Sequence, residues 1–298
     1  MKISCVGVGN MGGAVARRLA GEFSVTAYDL SPEAVRRCVA AGARGASELP
    51  AAVDGAEVVL TSLPTPELVA STVETLTELV PSSTTIVDIS TIDPGTARLV
   101  ADRCAAAGVD FVACALGKTP AHAERGEIPL FVGGPPEAVE RLGRVLTRMG
   151  EKTYDFGSVE AATTFKLVSN FIGMANVAVL AEGHALARRA GITPEMFTAV
   201  LKDTGAASFQ ESVRLPWIIE GDWSARFGVD LALKDVRLAV EAAYRWKIPV
   251  PVGSASLGQL VAASADGYGD EDVVAIAKLC TPPPPDPAPN NPAPNYRV

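Results

Sequence analysis

Through the first half of the chain, apolar runs and amphipathic stretches take turns. Runs at 2–7, 24–29, 57–62, 84–89 and 109–114 read as strands, and the segments between them, 11–21, 32–42, 65–80 and 94–107, read as helices. In the first of those helices Val15, Leu19 and Ala20 share one side, and Arg17 and Arg18 the other. Pro32 behind Ser31 and Pro94 behind Asp93 each place proline in a first helical turn after a capping side chain. Strands with few polar residues, such as Val58-Val59-Leu60, suit a parallel sheet covered on both faces. A strand at 128–132, a helix at 135–149 and a short strand at 152–156 complete this half. After Gly157 the strand signals stop. A long helical stretch at 158–189 leads into helices at 194–203, 206–219, 229–246, 253–266 and 271–280. The reading is an α/β chain: a doubly wound parallel sheet over 1–157, an all-helical domain over 158–280, and a tail at 281–298. The tail's proline, asparagine and alanine cannot build a core and suit a polyproline-type or disordered extension.

The first strand enters Gly7-x-Gly9-x-x-Gly12, a helix follows at once, and the second strand ends in Asp29 about 20 residues on. That order belongs to a dinucleotide site of the Rossmann type. Gly7 permits the tight turn, Gly9 lets backbone approach a pyrophosphate, and Gly12 allows close helix–strand packing. The helix N-terminus offers free N–H groups and a positive dipole end. Asp29 is placed to accept from both ribose hydroxyls. Its charge repels a 2′-phosphate, Leu30, Ser31 and Pro32 offer no guanidinium, and Arg36 and Arg37 lie further along the next helix. NAD is therefore expected ahead of NADP.

Composition narrows the class. With 298 residues, 48% apolar content and a net charge of −8, the chain suits a globular acidic protein of about two domains. It has no basic run that suggests nucleic acid, no signal-peptide pattern, and no long uncharged apolar run, since Glu182 and His184 interrupt 171–187. A membrane partner is not expected. Cys5, Cys38, Cys104, Cys114 and Cys280 show no close pairing, which suggests reduced thiols in the cytoplasm. With only His122 and His184 available, neither a metal site nor a Ser-His-Asp triad is expected.

A second group of polar residues opens the long helix. Lys166 and Asn170, spaced i, i+4, share one face among Phe165, Leu167, Val168, Phe171 and Ile172. Leu63-Pro64, Ser90-Thr91 and Gly117-Lys118-Thr119 follow strands three, four and five, at the carboxyl ends where doubly wound sheets bind ligands.

Together with Met11 and Phe227-x-x-x-Leu231-x-x-Lys234-Asp235, these motifs resemble the β-hydroxyacid dehydrogenase family over roughly residues 1–280. The resemblance implies that Lys166 is the catalytic acid/base and that Asn170 orients the substrate. It implies cofactor contacts from Asn10, Met11, Leu63, Pro64, Thr91 and Lys234, beside Gly7, Gly9, Gly12 and Asp29. Substrate contacts are expected from Ser90, Gly117, Lys118, Thr119, Ser169 and Gly173. A homodimer or homotetramer built on the helical domain is implied as well.

The chain departs from the family pattern in its substrate loop, Ala113-Cys-Ala-Leu-Gly-Lys118-Thr119, where Asp-Ala-Pro-Val-Ser-Gly-Gly is usual. A basic residue there is similar to the Gly-Arg-Thr of sulfolactaldehyde reductase. Ser169 replaces a common asparagine, and Glu160-Ala161-Ala162 replaces a glycine-rich run. The expected chemistry is hydride exchange between NAD(H) and a small anionic 3-hydroxyacid or its semialdehyde, the acid group being a carboxylate, sulfonate or phosphonate held by Lys118. Burial and the nearby cations Lys118 and Lys234 would lower the Lys166 pKa. Asp230 and Asp235 read as structural, or as supports for residues that touch the substrate, rather than as catalytic. The rival readings are a non-catalytic NAD-binding protein, an imine reductase, and a decarboxylating enzyme of the 6-phosphogluconate dehydrogenase type.

Overall fold

The computed structural model describes residues 1–280, so the expected extension at 281–298 lies outside the described residues. Contacts divide the described residues into two compact units: 1–172 with 233–254, and 173–232 with 255–280. This division differs from the change in secondary structure, which becomes all-helical after Gly157.

In the first unit, strands and helices alternate in the expected order. They are β1 (Lys2–Val6), α1 (Asn10–Ala20), β2 (Ser24–Tyr28), α2 (Pro32–Val39), β3 (Arg44–Gly45), α3 (Leu49–Val53), β4 (Val58–Thr61), α4 (Pro66–Leu79), β5 (Thr85–Asp88), α5 (Pro94–Ala106), β6 (Asp110–Leu116), α6 (Pro120–Arg125), β7 (Pro129–Gly133), α7 (Pro136–Arg141), α8 (Gly143–Met149) and β8 (Lys152–Asp155). The strands form one sheet in the order β3-β2-β1-β4-β5-β6-β7-β8. The first six are parallel and reverse their order between β1 and β4, which places a ligand crevice at the carboxyl ends of those two strands. β7 runs antiparallel to β6, and β8 parallel to β7, a detail that the alternation of elements did not convey. The 117–128 connection holds only the short α6 and re-enters the sheet at the end where β6 left it. β3, α3 and α6 are too short to show a period in sequence. The single helix expected over 135–149 is broken at Leu142 into α7 and α8.

Alternate strand residues feed two cores. Ile3, Cys5, Val58, Leu60, Val87, Val112 and Cys114 pack with Val15 and Leu19 of α1 on one face. Val6, Val59, Ile86, Phe111 and Ala113 pack with Val73 and Leu76 of α4 on the other. Burial on both faces explains why these strands read as continuous apolar runs. Each fully buried leucine or valine contributes roughly 1.5–3 kcal/mol.

Where the strands end, polar groups replace apolar ones. Asp88 is 2% exposed. Its Oδ1 accepts from Thr61 Oγ1 at 2.7 Å and from Ser90 Oγ at 2.6 Å. Ser90 Oγ in turn accepts the Leu63 N–H at 2.8 Å. Burial pushes the Asp88 carboxyl above its usual range, and the Ser90 and Thr61 hydrogen bonds oppose that rise. The loops after β4 and β5 are thereby joined by one buried acid.

Three helices cross the division between units: α9 (Val159–Arg189), α12 (Val229–Arg245) and α13 (Pro251–Ala263). α9 is long and apolar enough, by length and composition alone, to cross a membrane. Much of that apolar surface is used in packing: Leu167 is buried in the first unit, and Val177 and Ala181 in the second. In the first unit Phe165 stacks on Phe156 with centroids 4.9 Å apart and meets Phe131 edge-on at 4.8 Å. These contacts set the rotation of α9 about its axis.

The second unit also contains α10 (Pro194–Lys202) and α11 (Phe209–Glu220). The 271–280 segment, expected to be α-helical, is a 3-10 helix over Val273–Cys280. Asp272, fully buried, accepts from Arg214 Nη1 at 2.9 Å and from the N–H groups of Phe227 at 2.9 Å and Val274 at 3.2 Å. An acid that satisfies a buried guanidinium and several backbone donors is costly to remove. Asp272→Ala is expected to destabilise this unit by about 3–5 kcal/mol in urea unfolding. Ser90→Ala leaves the Leu63 N–H without its partner and is expected to cost about 1–3 kcal/mol, measured the same way.

Candidate active site

The β1–α1 turn has the form that a pyrophosphate needs. Gly7 has φ +84°, and a Cβ on it would lie 2.2 Å from the Ser62 carbonyl oxygen. A Cβ on Gly12 would lie 2.1 Å from the Gly7 carbonyl oxygen and 2.7 Å from Ser62 Cβ. The turn is therefore pressed against the residue that follows β4, a contact that no spacing rule reveals. Gly9 differs, since a Cβ there would meet nothing within 4 Å. It caps α1 without a side-chain hydrogen bond, and no acid lies in the first turn. The first-turn N–H groups, with exposed Asn10 and half-buried Met11, face no competing side-chain cap.

Asp29 lies at the end of β2, and its two oxygens accept the Val8 N–H and the Ser31 N–H, each at 2.8 Å. Leu63 is half-buried, Pro64 exposed and Thr91 half-buried, on the loops tied together by Asp88 and Ser90. These features fit a nicotinamide dinucleotide along the β1–β4 crevice.

Lys166 and Asn170 lie on one face of α9, as their spacing requires. Lys166 Nζ donates to Asn170 Oδ1 at 3.1 Å. Asn170 Nδ2 donates to Asp235 Oδ2 at 2.6 Å. Asp235 Oδ1 is 3.0 Å from Lys234 Nζ, an ion-pair contact without hydrogen-bond geometry. Lys234 Nζ donates to the Thr91 carbonyl at 2.8 Å, and Arg245 pairs with Asp93 at 3.4 Å, so α12 is moored to the loop after β5. Burial pushes the Lys166 ammonium below the ordinary lysine range; Asp235 pulls it up, and Lys234 pushes it down further. A half-buried lysine held below its ordinary range and hydrogen-bonded to an amide is suited to give and take a proton at a reacting oxygen.

Asp235, read from the sequence as structural or supporting rather than catalytic, joins Asn170 and Lys234 in this cluster. The Lys-Asp pair was visible in the sequence. Its contact with a helix 65 residues away was not.

The remaining expected substrate contacts lie outside this hydrogen-bonded cluster. Lys118, at φ +61°, places Nζ 2.7 Å from both the Glu127 carbonyl and Glu151 Oε1. Gly117 is buried against Pro129, and Thr119 Oγ1 is 2.7 Å from His122 Nδ1. Ser90 is committed to Asp88 and Leu63. Ser169 is exposed on α9, and Gly173 lies in the second unit, where a Cβ would meet Gln210 Nε2 at 2.9 Å. Cys114 is fully buried and its thiol is pushed up to about 12 by burial, which removes it as a nucleophile. Among the described residues no group of three or more His, Cys, Asp or Glu is arranged to hold a metal ion.

Comparison with known proteins agrees with this geometry. Residues 2–157 match the NAD-binding domain of 6-phosphogluconate dehydrogenase, and residues 161–280 match the NAD-binding domain of NADP-dependent 3-hydroxyisobutyrate dehydrogenase. The chain is 31% identical to 3-sulfolactaldehyde reductase of Escherichia coli over 92% of its own length and 94% of the relative's. It is 29% identical to 2-(hydroxymethyl)glutarate dehydrogenase of Eubacterium barkeri, covering 94% of each chain. The crystal structure of 3-hydroxyisobutyrate dehydrogenase from Salmonella typhimurium superposes with a TM-score of 0.85 at 26% identity, covering 94% of this chain and 99% of that one. With a glycine-turn cradle, a lysine–asparagine helix and family matches that span both halves, the chain belongs to the β-hydroxyacid dehydrogenase family and is an NAD(P)-dependent oxidoreductase acting on a hydroxyl group.

Proposed function

We propose that this protein interconverts a small anionic 3-hydroxyacid, or its sulfonate or phosphonate analogue, and the corresponding semialdehyde, with Lys166 as general acid/base. The observation that carries this reading is the half-buried Lys166, held by Asn170 and lowered in pKa by burial. When bound in the β1–α1 cradle, NAD(P)H supplies the hydride. Lys166 gives a proton to the carbonyl oxygen as the alcohol forms, and takes it back in the reverse direction. Asn170 and Lys234 position the reacting groups, and Thr91 anchors Lys234 through its carbonyl. Lys166 also favours this reading over a non-catalytic protein or an imine reductase.

NAD is proposed as the preferred cofactor. The Asp29 carboxylate occupies the ribose end of β2, and Arg36 Nη2 is engaged with Glu33 at 2.6 Å rather than free for a 2′-phosphate. We also place the protein in the cytoplasm, in line with five free cysteines, and expect it to self-associate through its helical domain. There α9 leaves Val179 61% and Leu186 73% exposed.

Lys118 is the proposed partner of the substrate's acid group. To serve, its ammonium must exchange the Glu151 carboxylate for the substrate anion. The relatives named for sulfolactaldehyde and hydroxymethylglutarate support an anionic substrate without choosing the acid.

The test is NADH and NADPH oxidation with succinic, methylmalonate and tartronate semialdehydes, sulfolactaldehyde and phosphonoacetaldehyde, comparing wild type with Lys118→Ala. Sulfonate or phosphonate turnover that collapses in Lys118→Ala would establish the lysine as the anion site. Carboxylate turnover indifferent to the substitution would leave an ordinary 3-hydroxyacid dehydrogenase. No turnover with cofactor still bound would refute the proposal.

Lys166→Ala is expected to lower kcat by about 10²–10⁴-fold while NADH fluorescence titration shows retained binding. The pH dependence follows from the lowered Lys166 pKa. Oxidation needs the neutral amine, so kcat should rise with pH through a limb below the ordinary lysine value. Reduction needs the ammonium, so its rate should fall through the same limb.

A further inference from the structure

Two half-buried side chains alone would not hold a lysine amine in one orientation, and the structure supplies a third. Asn170 lies between a group that only donates, the Lys166 ammonium, and a group that only accepts, the Asp235 carboxylate. Turning the amide over would set NH₂ against ammonium and oxygen against carboxylate, so the chemistry of both neighbours selects a single orientation. Asp235 is itself confined: it is 2% exposed, with Lys234 3.0 Å from its other oxygen.

We infer that Asp235 is the positioning residue of this active site, acting on Lys166 through the Asn170 amide. This rests on the proposed role of Lys166. Its consequence concerns the lone pair of the neutral amine. With Oδ1 held towards Nζ, Asn170 accepts one N–H of Lys166 in both protonation states. The lone pair that removes the substrate proton is therefore directed away from Asn170. Asn170 keeps one Nδ2 hydrogen and one Oδ1 lone pair for a substrate, because its other valences are committed. A carboxylate on α12 thus orients an amine on α9 that it does not touch.

The experiment reads Lys166 without substrate or cofactor. The full-length protein is pulse-labelled with acetic anhydride across a pH series, and mass spectrometry measures acylation of Lys166, which follows its neutral fraction. Wild type is compared with Asp235→Asn, Asn170→Leu and the double variant. Loss of the carboxylate removes a charge that favours the ammonium, and loss of the amide removes an acceptor that binds the ammonium more strongly than the neutral amine. The Lys166 profile should therefore move to lower pH, and labelling below the midpoint should quicken by about threefold or more, the equivalent of half a pKa unit. Because part of the Asp235 effect passes through Asn170, the double variant should shift by less than the sum of the single shifts.

An Asp235→Asn profile identical to wild type would overturn the inference. So would a double-variant shift equal to the sum of the single shifts, since Asp235 would then act independently of Asn170. Should Asp235→Asn fail to fold, Asn170→Leu carries the test at a half-buried position, and an unchanged profile there overturns the inference. Labelling does not depend on turnover, so inactivity on every aldehyde would count against the proposed function alone.

Discussion

Burying a carboxylate is costly unless donors surround it, and that requirement organises the carboxyl end of this sheet. Asp88 cannot stay dry without Thr61 and Ser90, and Ser90 cannot serve it without drawing in the Leu63 N–H. One acid therefore joins the loops after β4 and β5, the first of which borders the crevice beside the glycine turn. Asp235 repeats the logic at the catalytic lysine. Its partners are Asn170, which donates from one helix, and Lys234, which pairs with it by charge from another, so compensating the acid brings α9 and α12 together.

The fold supplies rigid mounts for these groups. Parallel strands buried on both faces end together, so their polar termini share one edge. Phe165, held by Phe131 and Phe156, fixes the rotation of α9, so Lys166 and Asn170 are presented on the face that meets Asp235. Lys234, bonded to the Thr91 carbonyl, and Arg245, paired with Asp93, hold α12 to the loop after β5. The lowered pKa of Lys166 then follows from burial and from a neighbouring cation, with Asp235 limiting the fall.

Lys118 shows where local pattern and tertiary structure part. A basic residue in a substrate loop suggests an anion site, and the chain does place it just beyond β6. In the folded chain its ammonium already has a carboxylate, Glu151, and a carbonyl, Glu127. Its φ of +61° marks a backbone bent to reach them. Any substrate anion must compete with Glu151, a residue 33 positions away that no loop motif includes.

Sequence alone determined what depends on near neighbours. The alternation of strands and helices, the glycine turn with Asp29, and the shared face of Lys166 and Asn170 follow from periods of two and 3.6 residues and from the freedom of glycine. Short elements such as β3, α3 and α6 escaped because a few residues carry no period, and the reversed β7 escaped because direction depends on where a loop re-enters the sheet. Only the tertiary structure decided which distant groups meet: Ser62 against Gly7 and Gly12, Ser90 between Asp88 and Leu63, and Asp235 beneath Asn170. Those pairings arise because buried charge and close-packed backbone must each find a partner, and the partner is chosen by the fold as a whole rather than by adjacency in the chain.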